Sequence, residues 1–172
     1  MNDLISLVAN IALTLSLIVA VVFGIAQVRA AARDRRERLT LDSLRHFQTR
    51  DFSELMFYII NQTFPADQRG FRKLPAKDQV MLLQFGQEME SLGILVSEGL
   101  IDLDLVDKVL GSFVTTAWSK FKPMFADIRL KQSDPYLGEY FQWLAETIDR
   151  RMLEYPRRPY HEAHRAVDES AR

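Results

Sequence analysis

Cysteine is absent from this 172-residue chain. Disulfides, thiol catalysis and cysteine-ligated metals are excluded together, and the composition fits a reducing compartment. Histidine is scarce: His46, His161 and His164 are the only three. His161 and His164 stand three apart beside Pro156 and Pro159, whereas a helical zinc-protease motif needs its histidines four apart on a stable helix. Glycine numbers seven, and none forms a phosphate-cradling loop. Ser91, Ser97 and Ser119 lie in no histidine- or lysine-based nucleophile motif. Asp102, Asp104 and Asp107 lack the alternating ligands, central glycine and distal glutamate of a calcium loop, so helix capping explains them better. An excess of one charge is also missing, with 22 basic against 23 acidic residues, which argues against a nucleic-acid partner. The expectation is no enzyme, no cofactor and no metal.

What the chain does have begins with a second absence. From Leu4 to Val28 there is no Asp, Glu, Lys or Arg. A helix needs about 20 apolar residues to cross the hydrocarbon of a bilayer, and this run exceeds that length. A secretory signal would show a basic start, a shorter apolar core and a small-residue cleavage site. Here the start is Met1-Asn2-Asp3 and the run continues into Arg29, Arg33, Arg35, Arg36 and Arg38. Positive charge stays on the cytoplasmic side, so these arginines are topology determinants that place the amino terminus outside and the bulk of the protein in the cytoplasm. Asp34 and Glu37 sit among them and dilute any single-sign field for nucleic acid or anionic lipid. Along the run, Ala12, Ser16, Ala20 and Gly24 fall four apart and give a small-residue face, with Asn10 on a neighbouring polar stripe beside Ser6 and Thr14. Such a face suits self-association in the membrane, and a partner membrane protein would satisfy the same groups.

The remainder reads as one helical domain. Leu82, Phe85, Met89, Leu92 and Val96 form the seam of a helix from Pro75 to Ser97, stopped by Gly99. Asp102 caps the next helix, whose stripe is Val106, Val109, Leu110, Phe113 and Ala117. Pro123 should break or kink it, with a shorter helical piece following. Ser133-Asp134-Pro135 places a cap before a first-turn proline, opening a helix with Leu137, Tyr140, Phe141, Leu144 and Ile148 that ends near Tyr155. Nearer the membrane the anchor should continue as helix toward His46, Asp51 with Glu54 resembles a capping box for a helix carrying Leu55, Met56, Ile59 and Ile60, and Phe64 to Leu74 reads as loop. The fold class is therefore all-α, one transmembrane helix leading into a bundle of about five helices. Its parts are residues 4–28 as anchor, 29–50 as basic juxtamembrane helix, 51–155 as cytoplasmic domain and 156–172 as a flexible tail.

Several short motifs carry a resemblance. Met89-Glu90-Ser91-Leu92-Gly93-Ile94-Leu95-Val96, Gly99-Leu100-Ile101-Asp102, Leu110-Gly111, Trp118, Phe121-Lys122-Pro123, Arg129 and Tyr140-Phe141-Gln142-Trp143-Leu144-Ala145 resemble a bacterial family. That family is a domain of unknown function, numbered 4760, of small proteins with one amino-terminal membrane helix and a helical cytoplasmic domain. The resemblance covers about residues 40–150 and implies a membrane-bound location, with no activity, substrate or catalytic residue; the expected location is the bacterial inner membrane. Read physically, Gly86 and Gly93 would let a neighbouring helix approach, and Trp118, Phe121, Phe141 and Trp143 would supply the aromatic core. Glu90 and Arg129 would form a buried ion pair, since an unpaired buried charge is costly. A membrane-tethered interaction or regulatory module with a protein partner is the expectation. The alternative is a small-ligand sensor or enzyme with a pocket near Glu90 and Arg129.

Overall fold

The computed structural model describes residues 2–132, 134–157, 159–160 and 162, with only the backbone of residues 2–5, 8 and 9. Among the described residues are six helices: α1 Asn2–His46, α2 Arg50–Asn61, α3 Gln68–Arg72, α4 Ala76–Ser97, α5 Leu103–Gln132 and α6 Glu139–Glu154. α1 runs unbroken because nothing in it opposes helix, and Ala30, Ala31, Ala32 and the arginines are good helix formers. From Asn10 to Leu39 every residue is exposed, and Thr40 is the first buried one. The Asn10–His46 part of α1 contains a stretch long and apolar enough to cross a membrane, and none of that stretch is buried.

The bundle forms where α6 lies against both α4 and α5. Its centre is aromatic: Phe85 and Phe121 stack at 5.4 Å, and Phe141 meets them edge-on at 5.9 and 5.8 Å. Trp118 closes on Phe141 at 5.1 Å. Trp143, expected in this cluster, faces outward instead, because it falls two residues from Phe141 and one from the buried Leu144, on the other side of α6. Val109 likewise lies outside the α5 seam, next to the buried Leu110. Gly93 does allow close approach, since a side chain there would run into the Tyr140 carbonyl on α6. Gly86 has ordinary room, 3.6 Å from the Phe125 ring.

Four expectations about helix bounds are corrected. Pro123 lies inside α5 without ending it. Phe121, Met124 and Phe125 around it are all buried, and that packing offsets the loss of one backbone hydrogen bond. The segment expected to be loop contains α3, capped by Asp67, which accepts from the Gly70 N–H at 2.7 Å. α6 begins at Glu139 behind Gly138, whose φ of 69° is left-handed, rather than at Pro135. Asp134 only accepts from the Tyr136 N–H in the preceding turn, and Ser133 lies outside the described residues. α2 opens one residue before Asp51, with Thr49 as its N-cap accepting from Phe52.

The helix ends are held across the bundle. Asp127 on α5 accepts from the Gln68 N–H at the start of α3, at 2.9 Å. Thr40 on α1 accepts from the Asp102 N–H before α5, at 3.1 Å. Lys120 on α5 donates to the carbonyls of Ile59 at 3.0 Å, Ile60, and Gln62 at 3.1 Å, closing the end of α2. Acceptors at helix starts and an ammonium at a helix end match both the orphan backbone groups and the helix dipole. The Gln68 N–H, then Lys131, hold the Asp127 carboxyl below the usual carboxylate range.

Candidate functional site

Glu90 sits half-buried on α4, facing the start of α6. Its Oε1 accepts from the Tyr140 N–H at 3.2 Å and its Oε2 from the Phe141 N–H at 2.9 Å. Gly138 offers no side chain to cap α6, so a carboxylate from another helix does so. Arg129 is not its partner. The guanidinium donates from Nε to the Leu137 carbonyl at 2.8 Å and from Nη1 to Gln142 Oε1 at 2.6 Å. The expected pair is thus corrected: both side chains serve the 137–142 segment, and backbone groups there take the place of an ion partner. Arg129 Nη2 is buried without an acceptor. A cavity of about 220 Å³ lies beside Glu90, walled by Phe71, Leu82, Phe121, Met124, Phe125 and others. Arg129 does not line it, and both Glu90 oxygens already accept hydrogen bonds.

A second opening of about 330 Å³ lies between the end of α1 and α4, lined by Ser43, His46, Phe47, Gln84, Glu88 and Leu95 among others. Gln84 Nε2 donates to Glu88 Oε1 at 3.1 Å, and His46 Nε2 stands 3.7 Å from the same oxygen. Glu88 Oε2 is buried with no donor. This groove escaped sequence reading because Glu88 sits beside the α4 seam and looks like an ordinary surface residue there.

The collar arginines divide. Arg33, Arg35 and Arg36 face a groove of about 680 Å³ whose other wall is Gly99 and Leu100. Arg38 lies on an adjoining opening with Asp34 and Asp42, which Arg35 also lines. Arg29 is exposed on α1. Arg36 pairs with Asp102 at 3.6 Å. Asn10, Ala12, Ser16, Ala20 and Gly24 are exposed, with open space around Gly24 and the Thr14 hydroxyl donating back to the Asn10 carbonyl at 2.8 Å.

At the far end, Asp107 is buried and accepts from Arg157 Nη2 at 3.1 Å, while Arg151 pairs with Asp104. A side chain at Gly111 would strike the Asp107 carboxylate, so glycine leaves it room. Asp102 does cap α5, accepting from the Asp104 and Leu105 N–H groups at 2.8 and 3.3 Å. Asp107 does something different: Arg157, from beyond α6, reaches back to it. His161 and His164 lie outside the described residues.

A family model described as a domain of unknown function (DUF4760) matches residues 14–148, and the chain belongs to that family. No curated protein and no solved structure matches it.

Proposed function

We propose that this family member is a single-pass protein of a bacterial inner membrane, its amino terminus outside and its helical bundle in the cytoplasm, where the bundle acts as an interaction or regulatory module. The observation that carries this reading is the exposed apolar arm of α1, continuous as helix into a collar of arginines and then into a packed bundle. Tethering raises the effective concentration of the module toward other membrane-bound proteins. The opening between α1 and α4 supports a protein partner: its walls are largely apolar, with the Glu88 carboxylate among the lining groups. Copies would meet through the Ala12, Ser16, Ala20 and Gly24 face, with Asn10 bonding across helices. A catalytic or ligand-sensing centre at Glu90 and Arg129 has less support, since those groups are spent on the chain itself.

Topology is the direct test. A reporter active only in the cytoplasm, fused after Arg172, should work, and one active only outside should stay silent; the reverse result overturns the orientation. Replacing Arg29, Arg33, Arg35, Arg36 and Arg38 by neutral residues should give mixed orientation. For the module, cross-linking in native membranes should yield a stoichiometric protein adduct that Glu88→Lys abolishes while the fold persists.

A further inference from the structure

The collar mixes charges in sequence, and the fold lines three of its arginines along one groove. Arg33, Arg35 and Arg36 line the groove against Gly99 and Leu100, whereas Asp34 and Glu37 do not. Asp102, across the groove, is occupied by Arg36 through Oδ2 and by the α5 backbone through Oδ1. No hydrogen bond or ion pair among the described residues engages Arg33 or Arg35. Leu39 and Leu100 bring exposed apolar surface to the same groove. Gly99, at φ 68°, turns the chain so that Leu100 stands there, and the space beside it is open.

Position supplies the occupant. Arg33 and Arg36 follow Val28 by five and eight residues, about 7 to 12 Å along the helix. The headgroup layer extends about 5 to 8 Å beyond the hydrocarbon, within reach of long arginine side chains. We propose that this groove binds the phosphate of an anionic phospholipid from the leaflet at which the apolar run ends. Arg33 and Arg35 hold the phosphate oxygens through their guanidinium forks. Arg36 fixes the groove to α5 through Asp102. The assignment rests on α1 crossing the membrane.

The absence of cysteine permits a single label. An environment-sensitive fluorophore on Ser97→Cys, in the full chain in neutral detergent, would be titrated with phosphatidylglycerol, with phosphatidylcholine, and with glycerol phosphate in solution. Phosphatidylglycerol should shift the emission at a mole fraction about tenfold below phosphatidylcholine, and glycerol phosphate should not shift it. Arg33→Gln with Arg35→Gln should raise the phosphatidylglycerol midpoint about tenfold. Arg29→Gln with Arg38→Gln, which removes the same charge outside the groove, should move it by about twofold at most. Equal effects of the two double variants overturn the groove in favour of diffuse attraction, and a response to glycerol phosphate reassigns it to a soluble phosphate. In vesicles, Val19→Cys should resist a membrane-impermeant maleimide. Protection there with equal double variants sinks the groove alone, whereas reaction at Val19 sinks the spanning arm and the lipid site together.

Discussion

The arm of α1 and the bundle are built from the same apolar residue types and treat them oppositely. Phe23 in the arm is 64% exposed, while Phe85 and Phe141 in the bundle are 0% exposed. In the bundle, these two rings are enclosed by other side chains of this chain. In the arm, a row that includes Leu13, Leu17, Val21 and Val28 has no protein around it. The difference teaches that apolar character alone does not build a core: the bundle brings its own apolar environment, and under the proposed topology the arm borrows one from lipid.

The sharpest way to break this comparison is at Phe141. In a fragment beginning at Leu39, Phe141→Ala should lower stability by about 3 to 5 kcal/mol through cavity formation, measured by urea melts. Phe23→Ala in the full chain in detergent should leave the bundle's unfolding midpoint unchanged. A similar loss at both positions would mean the arm folds back onto the bundle. Glu90→Gln removes the charge that caps α6 and should cost about 1.5 to 3 kcal/mol in the same melts, because hydrogen bonds to a charged group are the stronger kind. In the arm the expected effects are smaller. Gly24→Ile and Asn10→Leu should weaken pairing of labelled helices in bilayers by up to about 1 to 2 kcal/mol, with Ile18→Leu as control; three equal results would make the arm a passive tether. The slightest effect concerns Asp127. Its pKa is depressed in the fold, so its contribution is present above the unfolded value of about 3.9 and fades as pH falls through the folded one. Asp127→Asn should flatten that acid limb of a stability-against-pH curve.

Much of the architecture was legible because it depends on local pattern. The α4 seam of Leu82, Phe85, Met89, Leu92 and Val96 is buried throughout, Gly99 takes the left-handed turn that ends it, and Asp102 caps α5. Where reading failed, the deciding group lay far along the chain. The start of α6 is held by Glu90, 51 residues before Phe141, so the local cap signal at Ser133-Asp134-Pro135 places the helix start too early. Glu90 and Arg129 read in sequence as a buried ion pair, because sequence offers only charged side chains as candidate partners. Backbone N–H and C=O groups made available by a helix end are invisible until the helices are placed. Asp107 reads in sequence as part of a capping cluster for the same reason, since its arginine partner arrives from beyond α6, 50 residues on.

Thr40 has a consequence that reaches through the whole length of α1. Its buried hydroxyl binds the Arg36 carbonyl on one side and the Asp102 N–H on the other, so the arm and bundle are geared together rather than loosely strung. A gear transmits phase. Each residue inserted between Val28 and Arg36 would turn the bundle by about 100° around the arm and advance it about 1.5 Å. One inserted alanine would swing a different face toward any neighbour fixed in the same membrane. Four would bring the original face nearly back, at about 40° from its starting heading and about 6 Å further out.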